Sequence, residues 1–183
     1  MKELLKRAAL KDAAGDLAGA IAACDGALRI RAGDAGAHYM RGTFLLRDGR
    51  GEEASASLAR AVELAPGNAR AHVNLGIALF QSGRAREAQA AFREAVRVDP
   101  SLPNAHLALG NALFALGDPP GAAAAYEEAA RLEPGYAKAH EYAGDAYLAM
   151  GDRELASRMV ERLRSIDPEV AQALAKKIAE RFR

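Results

Sequence analysis

Apolar and small residues recur along the chain with the spacing of amphipathic helices. Counting from His72, the residues at i+3, i+4 and i+7 are Leu75, Gly76 and Leu79, which places all four on one face of a helix. A second stripe, of alanines and larger apolar residues, follows and stops before Pro100. The pattern therefore predicts two successive amphipathic helices in this stretch of the chain.

Glycine and proline interrupt these stripes every 34 residues. The glycines that share this spacing are Gly15, Gly49, Gly83, Gly117 and Gly151. The prolines that share it are Pro66, Pro100, Pro134 and Pro168. Glycine allows the left-handed backbone at a helix end, and proline disfavours helix in the residue before it. We therefore predict five helix-turn-helix blocks, at residues 1–34, 35–68, 69–102, 103–136 and 137–170.

Other local signals support these helix boundaries. Asp16, Asp118 and Asp152 follow the turn glycine, where a carboxylate can cap the second helix, and Pro119 stands where a first helical turn tolerates proline. Residues 171–183 continue an apolar stripe, and we predict that they form a C-terminal capping helix. The stripe consists of Val170, Leu174, Ile178 and Phe182.

The register of the blocks resembles the tetratricopeptide repeat family. Numbering each block from 1, glycine or alanine fills position 8, alanine fills position 20, and position 32 is proline in blocks two to five. Position 24 holds Cys24, Leu58, Phe92, Tyr126 and Val160. The resemblance covers the whole chain and implies one all-α domain over residues 1–183, a right-handed solenoid of paired helices. The first block departs from the pattern, with Ala32 at the proline position.

Charge and composition narrow the class of partner. The net charge is +1, and no block departs from neutrality by more than three charges, so no basic face for nucleic acid emerges. Because Cys24 is the only cysteine, an internal disulfide framework is excluded. Cys24 takes the large apolar position of the first block, where we expect a structural thiol. Because no signal peptide or membrane-spanning stretch is evident, we expect a cytoplasmic protein, unless the chain is a fragment.

The four histidines share position 4 of their blocks. They are His38, His72, His106 and His140. Zinc needs its nitrogen ligands at ~2.0–2.1 Å, whereas neighbouring helices lie roughly 8–10 Å apart, so a shared metal is implausible and we expect buried structural side chains. The segment beginning at His140 lacks the second histidine of a zinc-protease helix, because Gly144 stands there. We predict no catalytic residues, metal or cofactor, and no enzyme.

The resemblance implies a concave groove lined by the first helix of each block. The residues predicted to line it are Tyr39, Met40, Thr43, Arg70, Val73, Asn74, Ile77, Phe80, Asn104, Leu107, Asn111, Phe114, Lys138, Tyr142 and Asp145. Asparagine both donates and accepts hydrogen bonds, so it can hold a peptide backbone without reading its sequence. The alternative is an ordinary solvent-facing helix surface. The lysines and arginine of the family's carboxylate clamp are missing from the matching positions.

We therefore expect a non-catalytic scaffold or adaptor that binds a peptide or helix of another protein in this groove. A rival hypothesis is a structural oligomer that assembles through the uncapped face of the first block. A designed or excised array without a native partner is a further alternative. The sequence identifies no partner.

Overall fold

The computed structural model describes all residues, 1–183, and it contains eleven helices and no strand. The helices are α1 (Lys2–Ala13), α2 (Leu17–Ile30), α3 (Ala35–Arg47), α4 (Gly51–Leu64), α5 (Ala69–Gln81), α6 (Ala85–Val98), α7 (Pro103–Ala115), α8 (Pro119–Leu132), α9 (Ala137–Met150), α10 (Arg153–Arg164) and α11 (Pro168–Arg181). The predicted all-α fold class is confirmed. Each of the five blocks contributes two helices that pack on each other.

The glycines and aspartates that predict the helix boundaries form the turns between the two helices of a block. All five spaced glycines adopt the left-handed backbone, with φ between +76° and +80°, and they are the only residues with positive φ. Asp16, Asp118 and Asp152 accept hydrogen bonds from backbone N–H groups three residues on, at 2.7, 3.0 and 2.9 Å. Pro119 is the first residue of α8. The caps and the proline position are thus confirmed.

The C-terminal helix differs from the prediction at its start. The sequence predicts a helix over residues 171–183, but α11 begins at Pro168, which the spacing assigns to the connection before it. Asp167 caps α11 by accepting from the Val170 N–H at 3.1 Å, and proline at the first helical position loses no hydrogen bond. Proline at position 32 therefore follows a helix in blocks two to four and begins one in block five.

The small residues at position 8 make room for a side chain of a neighbouring helix. A Cβ on Gly76 would lie 2.6 Å from Cδ1 of Phe92, and a Cβ on Gly110 would lie 2.6 Å from Cδ1 of Tyr126. Both rings come from position 24 of the same block. In the fifth block, the side chain against Gly144 is instead Leu174 of α11.

The chain divides into two compact units, Met1–Val98 (unit 1) and Asp99–Arg183 (unit 2). The core of unit 1 is built around Leu45, Leu58 and the alanines that pack on them. The core of unit 2 is built around Tyr126, Met159 and Leu163, again with many alanines. A single domain over residues 1–183 stays a prediction.

Candidate functional site

The position-4 histidines make one repeated hydrogen bond. Nε2 of His38, His72, His106 and His140 lies 2.8, 2.9, 2.9 and 3.0 Å from the backbone carbonyl oxygen six residues earlier. The ring N–H donates to that carbonyl, which belongs to position 32 of the preceding block. Three of these rings are buried, and His38 is half-buried. In blocks two to five, this bond connects the start of the first helix to the loop before it. This supports the structural interpretation of the histidines.

In unit 1, the predicted site residues are linked by two hydrogen bonds. The Thr43 hydroxyl donates to the backbone oxygen of Tyr39 at 2.9 Å, and Nδ2 of Asn74 donates to Oγ1 of Thr43 at 3.0 Å. The second of these bonds connects α3 to α5. Oδ1 of Asn74 makes no bond within the chain and remains available as an acceptor.

The other predicted residues of unit 1 differ in exposure. Val73 is only 4 % exposed, so in this structure it packs inside the unit and offers a ligand almost no surface. Phe80, by contrast, is 36 % exposed. Arg70 is exposed, and Met40 and Ile77 are half-buried. The unit 1 surface is defined as Tyr39, Met40, Thr43, Arg70, Asn74, Ile77 and Phe80.

In unit 2, three predicted site residues surround one buried tyrosine. The Tyr126 hydroxyl donates to Oδ1 of Asn111 at 2.8 Å. The Tyr142 ring lies against Tyr126, with centroids 5.6 Å apart and planes at 60°. Burial, aided by Tyr142 and the charge of Asp145, raises the pKa of Tyr126 well above its ordinary value. Tyr126 is therefore a neutral phenol that keeps its donor proton.

The remaining predicted residues of unit 2 include one buried side chain and one ion pair. Leu107 is 9 % exposed and, like Val73, contributes to packing. Phe114 is 40 % exposed. Nζ of Lys177 lies 2.8 and 2.9 Å from the two carboxylate oxygens of Asp145, which joins α11 to α9. The unit 2 surface is defined as Asn104, Asn111, Phe114, Lys138, Tyr142 and Asp145.

Sequence reasoning missed Tyr126, which it treated as one of the large side chains at position 24. A signal was present: the other four blocks have Cys24, Leu58, Phe92 and Val160 there, none with a hydroxyl group. The fourth block is also the only one with asparagine at position 9, the place of Asn111. A buried hydroxyl needs a partner, and the pairing of these two residue types points to one.

One cleft of unit 2 contains none of the predicted groove residues. It has a volume of about 980 Å³ and is lined by the ends of α8 and α10, the loop at Pro134 and Gly135, and His140. Glu128 pairs with Arg131 at its edge. The only buried side-chain polar atom of the chain without a partner is Nδ1 of His140. No group of three metal-ligating side chains is brought together anywhere in the chain.

Comparison with solved structures identifies the class of fold. MamA is 25 % identical, with 94 % of this chain and 96 % of that chain covered and a TM-score of 0.82. YrrB, described as a tetratricopeptide repeat protein with an unusual peptide-binding site, is 24 % identical over 94 % and 90 % of the chains, with a TM-score of 0.82. A thermophilic repeat protein of Thermus thermophilus, TTC0263, is 20 % identical over 97 % and 98 %, with a TM-score of 0.70. The chain has the α-solenoid fold of these proteins.

Sequence models of the family agree with the fold. Models described as tetratricopeptide repeat match residues 39–103, 73–137 and 113–178. The chain belongs to the tetratricopeptide repeat family. The matches begin at residue 39, so the count of five repeats stays a prediction. A comparison with curated protein sequences finds no match.

The family assigns a broad class of function. Its members are generally non-catalytic scaffolds for interactions between proteins. None of its helices combines the length and the apolar character needed to cross a membrane.

Proposed function

We propose that this chain binds an extended peptide or a helix of a partner protein on the unit 1 and unit 2 surfaces. Phe80 and Phe114 carry the proposal. Both stand at position 12 of their blocks, on a first helix, and are at least one-third exposed, whereas the other aromatic side chains of the chain are buried or half-buried. Exposed aromatic rings provide contact area for a partner's side chains at little cost in conformational entropy.

Amide groups on the same helices complement these rings. Asn111 lies three residues before Phe114 on α7, so the two side chains share a helix face. Asn74 on α5 keeps its carbonyl oxygen free of bonds within the chain. Apolar contacts together with backbone-directed hydrogen bonds are the combination that peptide-binding surfaces use. The peptide-binding site described for YrrB, a protein of the same fold, supports a peptide as the ligand.

A displayed library of random twelve-residue peptides, selected on the full chain, tests the proposal. The dissociation constants of the selected peptides are then measured by fluorescence anisotropy for wild type, Phe80→Ala and Phe114→Ala. We expect at least one of the two substitutions to weaken binding about tenfold or more, the loss typical of a buried aromatic anchor.

Leu64→Ala is the matched control. Leu64 is as exposed as Phe80 but lies at the end of α4, a second helix that carries none of the proposed surface residues. Peptides should bind this variant as they bind wild type. The proposal is wrong if selection yields no binding peptide, or if the Leu64 variant loses as much affinity as the phenylalanine variants.

Self-assembly through the first block is the second candidate function. Leu10 is 71 % exposed and Ile30 is 64 % exposed, the highest values among the large apolar side chains. On the same helix as Leu10, Glu3 and Arg7 are also exposed, which makes this face partly polar. Light scattering over a concentration series tests the candidate: a dimer that is lost on Leu10→Glu would support it, and a monomer at all concentrations would exclude it.

A further inference from the structure

We propose that Tyr126 is a positioning residue, whose buried hydroxyl orients the Asn111 amide so that its NH₂ group binds a backbone carbonyl oxygen of the peptide. This inference rests on the proposed function, because it concerns the unit 2 surface. It adds the direction of one hydrogen bond: at Asn111 the protein donates and the peptide accepts.

The geometry leaves Asn111 with donors only. An asparagine side chain has one carbonyl oxygen and two N–H groups. Oδ1 of Asn111 is occupied by the Tyr126 hydroxyl at 2.8 Å, and Nδ2 makes no bond within the chain. Because the only buried polar side-chain atom without a partner is Nδ1 of His140, the free NH₂ group of Asn111 reaches solvent.

The core of unit 2 holds this arrangement in place. Tyr126 is 3 % exposed, and its ring is packed against the backbone at Gly110, the residue before Asn111. Tyr142 covers another part of the ring. The ring therefore fixes the position of the hydroxyl oxygen. Turning the amide over would let its NH₂ group donate to that oxygen, but the buried O–H proton, which bonds only to Asn111, would then have no acceptor.

The hydroxyl is specific to this block and is not required for packing. Phe92 fills the corresponding place in the third block, with a ring against Gly76 at the same 2.6 Å from an ideal Cβ. A phenyl ring is therefore sufficient to fill the space. The oxygen of Tyr126 adds one contact only, the bond to Asn111.

The test uses the peptides selected on the full chain. Their dissociation constants are measured for wild type, Asn111→Ala, Asn111→Asp and Tyr126→Phe. Asn111→Asp keeps an oxygen for the Tyr126 hydroxyl but removes the donors, so it should weaken binding at least as much as Asn111→Ala. Tyr126→Phe should weaken binding about fivefold, the effect of roughly one hydrogen bond, without touching the peptide.

Tyr147→Phe is the matched control, because Tyr147 is a buried tyrosine of the same unit that is not among the residues of the unit 2 surface. It should leave the dissociation constant unchanged. An independent readout comes from the side-chain NH₂ signals of Asn111 in ¹⁵N-labelled protein. These signals should be sharp in wild type and should broaden in Tyr126→Phe, where the amide samples both orientations. A purely structural hydroxyl would change the stability of the protein but not the peptide affinity.

The outcomes separate this inference from the proposed function. If Asn111→Ala binds every selected peptide like wild type, this surface is not the peptide site, and both ideas fail. If Asn111→Ala weakens binding while Tyr126→Phe does not, only the positioning role is overturned. Wild-type affinity in Asn111→Asp would overturn the donor role.

Discussion

The third block, in unit 1, and the fourth block, in unit 2, differ by one oxygen atom at the same structural position. Phe92 and Tyr126 both fill the space left by a glycine on the first helix of their own block. The residue after that glycine is Ile77 in the third block and Asn111 in the fourth. The apolar pair offers a ligand no polar group, whereas the tyrosine and asparagine share a hydrogen bond that reaches the surface.

This comparison separates two determinants. The glycine at position 8 allows a large ring from position 24 to pack against the first helix, because a Cβ on that residue would overlap the ring. The choice between phenylalanine and tyrosine decides whether the core side chain also controls a surface group. A repeat can therefore acquire an oriented polar group by two substitutions that leave its packing unchanged.

The largest expected effect concerns Cys24, which occupies the same position 24 in the first block. Cys24 is fully buried, and burial, with a contribution from Asp25, raises the pKa of its thiol to about 11. Because only the thiolate reacts, alkylation by iodoacetamide at pH 8 should be on the order of 100-fold slower than in the unfolded chain. The rate in guanidinium chloride is the control. Equal rates in the two states would show that the first block is not packed like the others.

Second in size is the effect of filling the glycine position. Gly110→Ala places a Cβ against the Tyr126 ring, and Gly76→Ala does the same to Phe92. Each should lower the free energy of unfolding by ~1–3 kcal/mol, as measured by urea denaturation, because both rings are buried and cannot retreat. The two losses should be similar, because the rings of Phe92 and Tyr126 differ only in the hydroxyl group of Tyr126.

Gly26→Ala is the control for these two variants. Gly26 is also inside a helix, but a Cβ there would make only ordinary contacts, the nearest at 3.5 Å from Leu4. Alanine favours helix over glycine by roughly 1 kcal/mol, so this variant should be as stable as wild type or more stable. A loss of stability in Gly26→Ala equal to that in Gly110→Ala would contradict the packing explanation.

Most of the fold could be predicted because its determinants are local. Glycine at a helix end, proline after a helix and aspartate before one act within a few residues, so a single sequence displays them. The prediction at Pro168 was wrong because proline is compatible with both ends of a helix. Here the Val170 N–H donates to the side chain of Asp167, which forms an N-cap, so that Pro168 begins the helix.

The candidate site was less predictable because burial depends on neighbouring helices. Val73 and Leu107 have the correct place in the register for a surface role, but they are buried. Asn111 was identified from its register position and residue type. Its orientation depends on Tyr126, fifteen residues away on another helix, and no periodicity of α7 contains that information.

The third prediction transfers the polar pair from the fourth block to the third. Phe92→Tyr alone places a hydroxyl in a buried space beside Ile77, where it has no partner, and should lower stability by about 1 kcal/mol or more. Ile77→Asn in the same chain supplies the acceptor. The double-mutant cycle, measured by urea unfolding, should give a favourable coupling of roughly 1 kcal/mol between the two substitutions.

The reverse pair provides the control for that transfer. Tyr126→Phe with Asn111→Ile should show a coupling of similar size, since it removes the natural bond. Zero coupling in the transferred pair alongside a measurable coupling in the natural pair would mean that the two glycine positions are not equivalent.

The smallest expected effect concerns the ion pair at the edge of the unit 2 surface. Lys177→Ala removes the partner of Asp145, whose charge is also felt by Tyr126. Both side chains are partly exposed, at 46 % and 30 %, so solvent and salt weaken the attraction between them. The free energy of unfolding should fall by at most ~0.5 kcal/mol at low salt, and the difference should shrink in 1 M NaCl. A larger loss that persists at high salt would mean that Lys177 holds α11 in place through its aliphatic stem. The contact between α9 and α11 would then be one of packing, and the charges of Lys177 and Asp145 would add little to it.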